Sequence, residues 1–117
     1  MNVQIFGTRK SSDTRKAQRF FSERRINVHF VDIAEKPPSR RELLRFTQKL
    51  GIEAVLDRGS KRFQELGLAT AHRTDERWTD LLMEEPLVLR LPLVREGNQV
   101  TAGYTPKTWK QWVDSAR

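Results

Sequence analysis

The chain has 117 residues, 37% of them hydrophobic and 32% charged, with no cysteine and a formal net charge of +7. That length suits one domain with a real core, and the composition excludes disulfides, thiolate metal sites and any disulfide cycling by the protein itself. No apolar run approaches the roughly 18 residues of a membrane span, and residues 1–25 lack the apolar stretch of a secretion signal, so the reading is a cytoplasmic protein with no membrane partner.

Residues 3–6 (Val-Gln-Ile-Phe) predict a short buried strand, and a polar turn over residues 7–15 leads into an amphipathic helix over residues 12–24. Ala17, Phe20 and Phe21 form its apolar stripe, with Ser12 or Asp13 as the N-cap. Residues 27–33 are β-branched and aromatic and predict a second strand, parallel to the first in a right-handed βαβ unit. Pro37-Pro38 then breaks the chain. Ser39 and Glu42 have capping-box spacing, and they start a helix with Leu43, Leu44, Phe46, Thr47 and Leu50 on or near its buried face and Gly51 at its end. Short helical patterns follow over residues 53–56, 60–66 and 74–85, the last with Trp78, Leu81 and Leu82 facing inward.

No strand signal occurs between Ile33 and Pro86, so residues 37–85 read as a helical insert in an α/β framework made of residues 1–36 and 86–117. Residues 87–94 predict a third strand. Glu96-Gly97-Asn98 makes a hairpin turn, and residues 99–103 pair back. Thr105 caps a last helix with Pro106 at its first position and Trp109, Trp112 and Val113 on its apolar face. Pro92 inside the third strand demands an edge, a bulge or a cis bond, and the expectation is a cis Leu91-Pro92 peptide beside the loop that holds Ser11.

Charge is concentrated early. Residues 1–25 carry seven cations against two carboxylates, +5 of the total +7. That excess favours an anionic partner, whether oxyanion, acidic protein surface or nucleic acid. The aromatic residues fall on inward faces, so only phosphate contact would remain for nucleic acid, and direct binding to it is disfavoured.

The order and spacing of Ile5-Phe6-Gly7, Ser11, Arg15-Lys16-Ala17, Pro37-Pro38-Ser39-Arg40-Arg41-Glu42-Leu43, Arg58-Gly59-Ser60, Glu65-Leu66-Gly67-Leu68, Glu85-Pro86 and Leu91-Pro92-Leu93-Val94 resemble the arsenate reductase (ArsC)/Spx/YffB family. The resemblance implies a thioredoxin-like, glutaredoxin-like fold: a βαβ–ββα framework with an inserted helical subdomain. It also implies a nucleophilic cysteine at the end of the first loop, aided by arginines and glutathione. Here that position is Ser11. The arginine that precedes the proline in the reductases is Leu91, with Arg90 displaced by one residue and so turned to the other face. The position of a third arginine is Asp57, beside Arg58. Arsenate reduction by the family mechanism is therefore not expected.

Two readings of the first loop stay open. Backbone N–H groups at the helix start, with Arg9, Lys10 and Arg15 nearby and the hydroxyls of Ser11, Ser12 and Thr14, could cradle an oxyanion or a glutathione carboxylate. Arg58, Arg90 and Pro92 complete that candidate set. The plainer reading is a capped helix with a solvated basic face. His29 and His72 have no third ligand at metal spacing and read as structural. A Ser11–His29–Asp32 triad is rejected because His29 and Asp32 differ in strand parity.

The functional expectation is a binding or regulatory module without a bound cofactor. Its partner would be a protein such as the transcription machinery, because Spx-type members act by touching RNA polymerase. The alternative is a glutathione-dependent or arsenate reductase-like oxidoreductase using the Ser11 loop.

Overall fold

In the computed structural model, which describes residues 1–116, four strands form one sheet in the order β2-β1-β3-β4. They are β1 (Asn2–Gly7), β2 (Asn27–Asp32), β3 (Leu93–Glu96) and β4 (Gln99–Ala102). β1 runs parallel to β2, with Ile5 opposite Phe30. It is antiparallel to β3, with Ile5 opposite Val94 and Phe6 opposite Leu93. Strand parity then sorts side chains to the two faces.

Val3, Ile5 and Val94 meet Ala17 and Phe21 of α1 (Ser12–Glu23) and Trp109, Trp112 and Val113 of α6 (Pro106–Ser115). Phe6 and Leu93 point the other way, into a core built with Leu43 and Phe46 of α2 (Arg40–Leu50), Val55 of α3 (Ile52–Val55), Phe63 of α4 (Lys61–Glu65) and Trp78 and Leu82 of α5 (Asp75–Glu84). The inserted helices thus share one continuous core with the sheet.

Local signals explain most element ends. Ser39 accepts from the Glu42 N–H while the Glu42 carboxylate accepts from the Ser39 N–H, a complete capping box of the kind worth about 1 kcal/mol. Gly51 ends α2 at φ +85°, a region open to glycine without strain. Arg40 pairs with Asp80 and ties α2 to α5. The Leu91-Pro92 peptide is cis, as its place in the chain led us to expect.

Three expectations need correction. The N-cap of α1 is Ser11, one residue before Ser12, and its hydroxyl accepts from the Thr14 N–H at 3.1 Å. Residues 87–94 do not form one strand. Pro86–Val88 is a 3-10 turn, Leu89 makes an isolated bridge to Leu56, and regular pairing with β1 starts at Leu93. The reason is proline at both ends: Pro86 has the φ of a helical start, and Pro92 has no N–H to offer the ladder. Thr105 occupies the N-cap position of α6 without capping it, and its hydroxyl is buried with no partner among the described residues.

Candidate functional site

The site grows from the end of β1. Gly7 closes the strand, and Thr8 accepts the Ser11 N–H through both its hydroxyl and its carbonyl, each at 3.2 Å. That forked hydrogen bond turns the chain so that Ser11 stands at the start of α1. Its hydroxyl caps the helix by accepting the Thr14 N–H, and among the described residues it makes no hydrogen bond to a side-chain base. Thr14 is fully buried under the loop with its hydroxyl unpartnered.

Beside this junction lies a cleft of about 280 Å³ lined by Ser11, Ser12, Asp13, Asp57, Leu87, Leu89 and Leu91. Only Ser11 and Ser12 of the candidate anion set line it. Arg9 and Lys10 are exposed, and Arg15 is exposed with its guanidinium donating to the Arg9 carbonyl at 2.7 Å. Arg90 donates to the Leu56 carbonyl at 3.3 Å, and its aliphatic stem lies against Gly103, 3.1 Å from where a Cβ would stand. Pro92 is buried and accepts the Gly103 N–H at 2.9 Å, while its neighbour Leu91 reaches the cleft.

Arg58 is held elsewhere. It forms a two-pronged pair with Glu53, at 2.9 and 2.6 Å, and lies over the rings of Phe63 and Trp78. The hydrogen bond from Arg58 keeps the Glu53 carboxyl below the ordinary glutamate value; burial opposes it, and the charges of Arg58 and His72 add to it. A depressed carboxyl contributes stability that is fully present above its unfolded pKa and is lost as pH falls through the lowered folded value. Because Glu53 is largely exposed, that contribution is small. We therefore expect carbon-detected NMR to show Glu53 titrating below a free glutamate, and Arg58→Ala to return its midpoint to the ordinary range. An unchanged midpoint in that variant would remove Arg58 as the cause.

Asp57 and the three leucines were missed as cleft residues. Asp57 arrives because its N–H bonds the Val88 carbonyl at 2.8 Å, a contact across thirty-one positions. The leucines did carry a signal: positions 87, 89 and 91 alternate. His29 and Asp32 both border a groove along β2, an edge strand, but Ser11 is not among its lining residues. No triad is assembled. Among the described residues no group of three or more His, Cys, Asp or Glu could hold a metal, and no helix is long and apolar enough to cross a membrane.

Comparison with known proteins agrees with this geometry. The model of the ArsC family matches residues 6–112. An uncharacterised protein of Bacillus subtilis, YusI, is 26% identical over 108 residues, covering 89% of this chain and 92% of that protein. Global transcriptional regulator Spx 2 of Oceanobacillus iheyensis is 29% identical over 116 residues, covering 97% and 84%. The solved arsenate reductase of Vibrio cholerae superposes with a TM-score of 0.82 at 24% identity, over 95% of this chain and 97% of that one, and shares the thioredoxin-like fold.

Proposed function

We propose, on the premise that this chain belongs to the ArsC family, that it is a binding or regulatory member without thiol redox activity, acting by contact with a macromolecular partner. One observation carries the reading: the loop-to-helix junction holds Ser11 in a chain with no cysteine, and its hydroxyl is engaged in capping α1. Neither arsenic nor a disulfide can be attacked by that oxygen, since the thiolate is the competent nucleophile and serine needs an activating base. The composition of the cleft points the same way. Asp13 and Asp57 line it and repel an oxyanion, and none of the candidate arginines is among its lining residues.

The likeness to an Spx regulator along nearly the whole chain suggests the transcription machinery as partner. The surface offered is the solvent face of α1, where Arg15, Lys16 and Arg19 are all exposed. We expect purified RNA polymerase to retain the wild-type chain and to lose it when Arg15, Lys16 and Arg19 are together changed to glutamate. Equal retention of that variant would move the contact to another face, and no retention of the wild type would remove this partner. A parallel assay with arsenate and reduced glutathione should give no turnover above buffer; turnover abolished by Ser11→Ala would overturn the non-redox reading.

A further inference from the structure

A second concave surface, sharing no residue with the Ser11 cleft, lies between the C-terminal half of α2 and the β3–β4 hairpin. It encloses about 290 Å³ and is lined by Arg45, Gln48, Lys49, Arg95, Asn98 and Val100, with Gly97 at the turn. We propose that this groove binds a small phosphomonoester through its phosphate.

Three cations converge there from two elements. Arg45 and Lys49 are four residues apart and so share one face of α2. Arg95 comes from β3, opposite Val100 of β4. Among the described residues no carboxylate lines the groove, in contrast to the two in the Ser11 cleft. The bonds these cations make are to neutral acceptors. The Lys49 ammonium donates to the Asn98 carbonyl. Arg95 donates to the Gln4 side-chain oxygen at 3.3 Å and the Gly97 carbonyl at 3.0 Å. Among the described residues Arg45 has neither a side-chain hydrogen bond nor an ion pair.

Helix electrostatics accounts for Lys49 alone. It stands in the last turn of α2, where the helix dipole favours a cation. Arg45 lies a turn earlier, and like charges at this spacing repel. An anion with two negative charges would reverse that repulsion. The chemistry selects phosphate: guanidinium forks match its oxygens two at a time, and the amides of Gln48 and Asn98 supply further neutral donors. Val100 offers an apolar wall to a sugar or alkyl portion. Among the described residues no aromatic ring lines the groove to stack a base, so a nucleobase would add little.

The test is a titration of the isotope-labelled full chain with ribose 5-phosphate, followed by amide shifts. Saturable shifts should centre on Lys49, Arg95 and Asn98, and Arg45→Gln and Lys49→Gln should each weaken binding about tenfold, the loss of one charge-assisted hydrogen bond. Both side chains are exposed, so the variants should melt with the wild type, while Ser11→Ala should bind ribose 5-phosphate unchanged. Three results would overturn the proposal. One is no saturation at concentrations on the order of 10 mM; another is the same shifts from sodium chloride at matched ionic strength. The third is a short single-stranded oligonucleotide binding the groove far more tightly than ribose 5-phosphate, which would assign it to a nucleic-acid backbone.

Discussion

Replacing Trp109 by alanine should lower the free energy of unfolding by about 3–5 kcal/mol, the range for removing a large buried aromatic. Trp109 is fully buried at the point where α6, α1 and the sheet meet. Its ring centroid lies 5.6 Å from Phe20, 5.5 Å from Phe21 and 5.6 Å from Tyr104. Its indole N–H donates to the Thr101 hydroxyl at 2.8 Å, inside the core. Alanine would lose those contacts, open a cavity and strand the hydroxyl. Trp109→Phe separates the effects: it keeps much of the volume but leaves Thr101 unpartnered, a loss of about 1–3 kcal/mol. Urea denaturation followed by far-ultraviolet circular dichroism reads both, with an unchanged slope confirming that stability alone has moved. A loss below about 1 kcal/mol for Trp109→Ala would mean the helix layer repacks freely, contrary to a rigid interior.

Gly7→Ala should destabilise by about 3 kcal/mol, the upper part of the range for overpacking. An added Cβ would stand 2.4 Å from both the methyl carbon and the hydroxyl oxygen of Thr14, and 3.0 Å from its Cβ. Neither residue has room to yield, since both are buried. The close approach of β1 to the first turn of α1 sets where Ser11 stands, so the same change should shift the amides of residues 11–15. Thr14→Ala alone should be nearly neutral, because it removes an unpartnered buried hydroxyl along with its methyl. Combined with Gly7→Ala it should recover most of the loss, giving a coupling of about 2–3 kcal/mol in a double-mutant cycle. Simple additivity would show that the Gly7–Thr14 contact is not the cause.

The candidate site was legible only in outline. Ser11 stands out through the resemblance to the family's cysteine position, the local pattern puts the N-cap one or two residues late, and Pro92 in a strand leaves a cis bond as one of three options. Arg58 illustrates the limit. Its place in the chain suggested an anion ligand, yet Glu53, only five residues away, takes both prongs of its guanidinium. Arg90 belongs to the candidate anion set by its place in the chain and to the face opposite Leu91 by strand parity; it is not among the cleft's lining residues. It lies outside the regular strands, next to the Leu89 bridge, so strand parity is not what directs it. The third strand was overextended because the alternation at 87, 89 and 91 is the same whether a segment pairs in a ladder or lines a cleft.

Composition and local pattern by themselves determined that this protein has no thiol of its own, that a βαβ unit precedes a helical insert and a closing hairpin, and where Ser39, Gly51 and Pro106 punctuate the helices. Those are short-range facts, governed by capping geometry, allowed φ and the periods of helix and strand. Only the tertiary structure decided which charges meet. Arg62 finds Glu85, Arg40 finds Asp80, Asp57 joins Asp13 at the cleft, and Arg95 joins Arg45 and Lys49 in the groove between α2 and the hairpin. Ion pairing acts at a few ångströms through space, and residues dozens of positions apart come within that reach only when the core beneath them has packed.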